Sequence, residues 1–181
     1  MITYTQAEVF AAEYLENAGV TYKGTNMLRS YGFFDAPASK GHHLAVRGGL
    51  LIHSVLVTSR LLGISENMGV CWDSKRSPYL VGMLHDFVKC FSYEEVKEGT
   101  YVWKTPRWPG HGVASALAVQ ELLPISLSAQ ESAAIVWHMG AFGLDAESLR
   151  QYNAALDAFP LQIIATHTAD MVASRFDERG E

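Results

Sequence analysis

The chain has no apolar run long enough to cross a bilayer, which takes about 20 consecutive residues, so no membrane partner is expected. Met1 to Val20 reads as an amphipathic helix with acidic side chains rather than a secretory leader, which fits a cytoplasmic setting. Cysteine is scarce. Cys71 and Cys90 fall outside any metal-finger spacing and suit free, packed thiols in a reducing compartment, which excludes a disulfide scaffold. Positive charge is short as well: 14 Lys and Arg stand against 19 Asp and Glu, net −5, so the basic stripe of a nonspecific nucleic-acid binder is missing and no long nucleic acid is expected. Internal repeats, low-complexity tracts and linkers are also missing. With 49% hydrophobic and 18% charged residues over 181 positions, the expectation is one domain spanning 1–181 with a substantial core.

What the sequence does contain is helical periodicity almost throughout, giving an all-α fold class. Thr5 with Glu8 has the capping-box pattern for a first helix that stops near Gly19. Gly24 to His43, interrupted by Gly and Pro, reads as a short helix and a loop that brings His42 and His43 to the next element. Further helices are expected over Gly48 to Leu62, from Ser77-Pro78 onward, Gly112 to Leu123, Ser128 to His138, Asp145 to Leu156 and Pro160 to Phe176. The one β element is a small hairpin, Tyr93-Val96 and Tyr101-Lys104, turning at Glu98-Gly99.

On or beside these helices stands an ordered set of possible metal ligands: His53, His85-Asp86, His111, His138 and Asp170. A single histidine in an apolar helix is ordinarily a hydrogen-bonded core residue. An adjacent His-Asp inside Leu80 to Val88 is different, because a buried carboxylate must be paired or bind a metal. Imidazole with carboxylate suits Fe, Mn, Zn or Ni, and a carboxylate can bridge two ions, which points to a metal-dependent hydrolase. On a continuous helix His85 and Asp86 lie about 100° apart, and Lys89 follows one turn later. Gly49, Leu50, Leu56 and Val57 share the His53 stripe, and His167 precedes Asp170 by a turn as a candidate partner. Lys40, Arg47 and Arg107 are close enough in sequence to make a local positive pocket for a phosphorylated substrate. Trp103 and Trp108 could stack a base at its mouth.

The ordered set resembles that of the HD-domain superfamily of metal-dependent phosphohydrolases, in its two-metal branch. The stretch FFDAPASKGHHLAVRGGLLIHSVLV (Phe33 to Val57) is similar to the HD domain of YhaM-type 3′-5′ exoribonucleases, and the likeness continues through LVGMLHDFVK, PGHG, VWHMG and ATHTAD, about Phe33 to Arg175. Val88 and Met139 depart from that pattern where relatives carry glycine and a second histidine, and no OB-type domain precedes the HD segment, which counts against a polymeric RNA substrate.

The resemblance implies an HD-domain helical bundle with a β-hairpin insertion and two divalent transition-metal ions, with Mn, Fe or Ni ranked ahead of Mg or Zn. One ion would be held by His53, His85, Asp86 and Asp170, and the other by His111 and His138 with Asp86 bridging. A hydroxide activated by the two metals would cleave phosphoester bonds of a nucleotide or short oligonucleotide, as in a phosphodiesterase, nuclease or nucleotidase. Lys89 would neutralise phosphoryl charge, and His42 or His43 would protonate the leaving oxygen or contact a second phosphate. Two alternatives share these ligands: a mixed-valence di-iron oxygenase resembling myo-inositol oxygenase, and a metal-stabilised binding module without turnover.

Overall fold

The computed structural model describes residues 2–41 and 44–178. Among them the chain is all-α apart from one antiparallel hairpin. The N-terminal capping box forms at Thr3 and Gln6 rather than at Thr5 and Glu8: Thr3 Oγ1 accepts from the Gln6 amide at 3.2 Å, and Gln6 Oε1 from the Thr3 amide at 2.9 Å. Both threonines carry the pattern. Helix α1 (Tyr4–Asn17) buries Ala7, Ala11 and Leu15 along one stripe, with Gly19 beyond its end at φ 73°. Helix α2 (Tyr22–Ser30) follows, capped by Thr21.

The centre of the bundle is α3 (Gly49–Met68), which packs against α1, α4 and α8 and buries Leu50, Leu51, Val57 and Leu61. It runs past the expected end at Leu62 because Gly63 does not break it, and stops at Gly69, φ 66°. Helix α4 (Ser77–Leu84) opens with Pro78 in its first turn and ends earlier than expected. His85 and Asp86 are therefore not in a helix interior. His85 caps α4, Asp86 has φ −110° and ψ 18°, and a 3-10 turn, Phe87–Phe91, continues the chain. Strands β1 (Tyr93–Lys97) and β2 (Thr100–Trp103) pair around the Glu98-Gly99 turn, with Tyr93 opposite Trp103 and Gly99 at φ 69°.

Helix α5 (His111–Leu122) packs on α6 (Ala129–Trp137), whose Ser128-Glu131 capping box forms as expected. Glu131 is fully buried and also receives Arg76 at 3.0 Å and the Ser77 hydroxyl at 2.9 Å, tying the start of α4 to the start of α6. Helix α7 (Ala146–Ala158) buries no residue and rests on α8 (Pro160–Val172). The expected last helix to Phe176 changes register: Ala173–Asp177 form a wide π-helical turn. The core comprises Leu80, Val81, Met83 and Leu84 of α4, Ile135 of α6, Ala165 and Ala169 of α8, and the rings of Phe33 and Phe87. Each fully buried Leu or Ile contributes about 1.5–3 kcal/mol. No helix among the described residues is long and apolar enough to cross a membrane.

Candidate metal centre

Five separate elements deliver the expected ligands to one place. His53 comes from the first half of α3, His85 and Asp86 from the end of α4, His111 opens α5, His138 caps α6, and Asp170 lies on α8. The His53 Nε2 lies 3.2 Å from His85 Nε2, 3.2 Å from Asp86 Oδ2 and 3.4 Å from Asp170 Oδ1. On the other side of Asp86, Oδ1 meets His111 Nε2 at 2.6 Å and His138 Nε2 at 3.5 Å. His53–His85–Asp170 and His85–Asp86–His138 each bring three ligand atoms within 4.8 Å of one another, close enough to hold a metal ion.

The helices approach this closely because glycine stands at two contacts. A Cβ on Gly82 would lie 2.7 Å from the Thr58 Cα, and one on Gly112 would lie 2.1 Å from the Val136 carbonyl oxygen. The first contact lets α4 bring His85 beside His53, and the second lets α5 bring His111 beside His138.

Ring orientation fits a metal. His85 Nδ1 donates to the Gly82 carbonyl at 2.9 Å and His138 Nδ1 to the Ile135 carbonyl at 2.7 Å. A carbonyl only accepts, so the proton of each neutral ring is on Nδ1 and the Nε2 lone pair faces the cluster. His138 Nε2 is buried and makes no hydrogen bond. Such an orphaned acceptor is costly unless a ligand satisfies it. His53 Nδ1 instead meets the buried Glu178 carboxylate at 2.5 Å.

Charges within the cluster are strongly coupled. Burial would raise the pKa of Asp86, but Lys89, His85 and His111 outweigh it and hold this carboxyl well below the usual range. Lys89 Nζ contacts Asp86 Oδ2 at 2.5 Å, and although burial opposes its charge, Asp86 keeps the ammonium protonated beyond its ordinary range. Burial pushes His85 down. For His53 burial acts in the same direction, but bonds to Asp86 and Glu178 exceed it and raise the pKa to about 9. Burial also opposes charge on Asp170, yet the surrounding His53, His85 and His138 hold its pKa down.

The cluster opens to solvent on one side. His53, His85 and His138 are buried, whereas the His111 and Asp170 side chains are 30% and 17% exposed. His111 ends a groove of about 510 Å³ that is walled by Val88, Trp103, Pro106 and Trp108. Trp108 stands edge-on to Phe91, and the half-exposed Trp103 edge-on to Tyr93.

The remaining expected site residues have other surroundings. His42 and His43 lie outside the described residues. Lys40 is exposed, Arg47 pairs with Asp35 at 2.7 Å, and Arg107 pairs with Glu121 while lying 4.5 Å over the Trp108 ring. Among the described residues no hydrogen bond or ion pair joins Lys40, Arg47 or Arg107 to the ligand cluster. His167 donates from Nδ1 to the His138 carbonyl at 2.7 Å and packs against Gly140, so it steadies the backbone of a ligand. Glu178 escaped the sequence reading altogether, since FDERGE carries the polar pattern of a solvated tail. Compared with models of known families, with curated proteins and with solved structures, the chain gives no match.

Proposed function

We propose that this protein is an HD-type metal-dependent phosphohydrolase acting on a nucleotide or short oligonucleotide. The observation that carries the proposal is the convergence of four imidazole Nε2 atoms on Asp86, with the Lys89 ammonium at its rim. The ordered His, His-Asp, His, His, Asp set that motivated the resemblance supports the same assignment. His53, His85, Asp86 and Asp170 would hold one divalent ion, and Asp86, His111 and His138 the second. When bound, such ions supply Lewis-acid polarisation of a phosphoryl oxygen and activation of the attacking water.

The chain's own residues account for the rest. Asp86 offers one oxygen to each side, Oδ2 toward His53 and Oδ1 toward His111, the arrangement a bridging carboxylate needs. Lys89, which rests against Asp86 Oδ2, would turn part of its charge to the phosphoryl oxygens of a bound substrate. The groove beyond His111 is apolar with two indoles on its walls, which suits the base of a nucleotide whose phosphate reaches the cluster. His42 and His43 remain candidates for protonating the leaving oxygen.

The test is metal analysis of the purified protein, followed by a screen of phosphodiesters and phosphomonoesters with added Mn²⁺, Fe²⁺, Ni²⁺ or Mg²⁺, with Asp86→Ala in parallel. Metal-dependent release of phosphate or nucleotide that is lost in Asp86→Ala is the expected result. Oxygen uptake by the iron-loaded chain without phosphoester cleavage would overturn hydrolysis in favour of an oxygenase, and a metal-loaded chain inert in both assays would leave a binding module.

A further inference from the structure

We infer that Glu178 is a positioning residue of the metal centre, its carboxylate accepting the His53 Nδ1 proton and thereby aiming the Nε2 lone pair at the metal. The inference rests on the proposed metal-binding role of the cluster and extends it to the C-terminal turn. It follows from where each histidine stands in its helix. The last carbonyls of a helix have no partner within it. His85 and His138 cap α4 and α6, and each Nδ1 uses the carbonyl three residues earlier, Gly82 and Ile135. His53 lies in the first half of the 20-residue α3, where the preceding carbonyls are engaged by the helix itself. Its Nδ1 needs an acceptor from elsewhere, and Glu178 supplies one at 2.5 Å.

The surroundings indicate a placed carboxylate rather than a chance contact. The Glu178 side chain is fully buried, although burying a carboxylate is costly without hydrogen bonds and opposite charge. It is delivered by the π-helical turn Ala173–Asp177, and π turns recur at functional sites. Just before it, Asp177 is gripped by Arg60, also on α3, at 2.7 Å and 2.5 Å, which anchors the turn along the same helix that carries His53. A carboxylate behind a ligating histidine fixes the ring tautomer and raises its basicity as a ligand.

The experiment titrates metal-free full-length protein with Co²⁺, following its visible absorption, for wild type, Glu178→Ala, Glu178→Gln and Asp177→Asn, with circular dichroism recorded for each. Glu178→Ala should bind Co²⁺ about 10- to 100-fold more weakly. Glu178→Gln, which keeps an acceptor oxygen, should lose less and shift the absorption bands, and Asp177→Asn, which loosens the turn but keeps the Glu178 carboxylate, should weaken binding by less than Glu178→Ala does. Glu178→Ala matching wild type, or Asp177→Asn weakening binding as much as Glu178→Ala does, would overturn the inference while leaving the metal centre intact. If Glu178→Ala does not fold, Glu178→Gln decides alone: wild-type affinity and spectrum would overturn the proposal. Wild-type protein that takes up no Co²⁺ would overturn the metal centre and this role together.

Discussion

Asp86 is the residue on which the site turns, because Lys89, His53, His85, His111 and His138 all approach its two oxygens within 3.5 Å. Without a metal, Lys89 is its nearest cation, so Lys89→Met should destabilise the metal-free protein by about 3 kcal/mol or more, as for a buried pair broken on one side. Bound metal would take over that compensation and shrink the loss. In the loaded protein Lys89→Met should keep metal content yet lower kcat/KM by about 10²- to 10³-fold. Paired thermal melts and steady-state kinetics check this, and an unchanged kcat/KM would confine Lys89 to a structural role. His53 leads to a pH prediction. Its pKa rises from 6.5 to about 9, so in the metal-free chain its contribution to stability is complete below about 6.5 and fades as pH climbs through 9. A metal needs the unprotonated ring. Metal uptake near pH 7.5 should therefore release a proton from His53, and affinity should increase as pH rises toward 9. Calorimetry in two buffers of different ionisation enthalpy would show it; uptake without proton release would mean His53 is already neutral.

At the scale of elements, two glycines matter as much as the ligands they bring together. Gly112→Ala would drive a methyl group into the Val136 carbonyl, so α5 must move away from α6 and carry His111 with it. The expected outcome is a stability loss of about 1–3 kcal/mol, as for overpacking, with a fall in metal content that a similar substitution at the uncrowded Gly63 does not cause. A Gly112→Ala protein with full metal content would show that α5 is free to adjust. These contacts were not legible in the sequence, because a glycine inside a helical stripe looks the same whether it faces solvent or another backbone. The helices themselves were largely legible, since the Ser128-Glu131 capping box, Pro78 and Gly19 act locally. Thr3 and Thr5 carry the same pattern, and the helix takes the earlier start, where the Tyr4 hydroxyl donates to the Phe34 carbonyl. Likewise the apolar run through His85-Asp86 has the composition of a helix interior, yet the backbone turns at Asp86 and passes into a 3-10 turn that still sets Lys89 against it. The ligand set could be read because its residue types are improbable in a core; Glu178 could not, because nothing local distinguishes a tail carboxylate that docks from one that does not.

Over the whole molecule, the His53–Glu178 contact joins residues 125 positions apart, while the ligands between them arrive on α4, α5, α6 and α8. Contacts of such separation form after the local ones, since the chain must first lose the entropy of closing the loop. Helices α1, α3 and α4 can pack on one another early, and the cluster is complete only when α8 and the turn behind it dock against α3. Refolding followed by tryptophan fluorescence and by Co²⁺ absorption should therefore give two curves, with the metal signal lagging. Coincident curves would mean that the cluster assembles with the first helices. A lag would make metal retention a record of finished folding: chains interrupted before residue 178 would keep much of their helix content yet exchange the metal readily, and a chelator at modest concentration would separate incomplete molecules from complete ones.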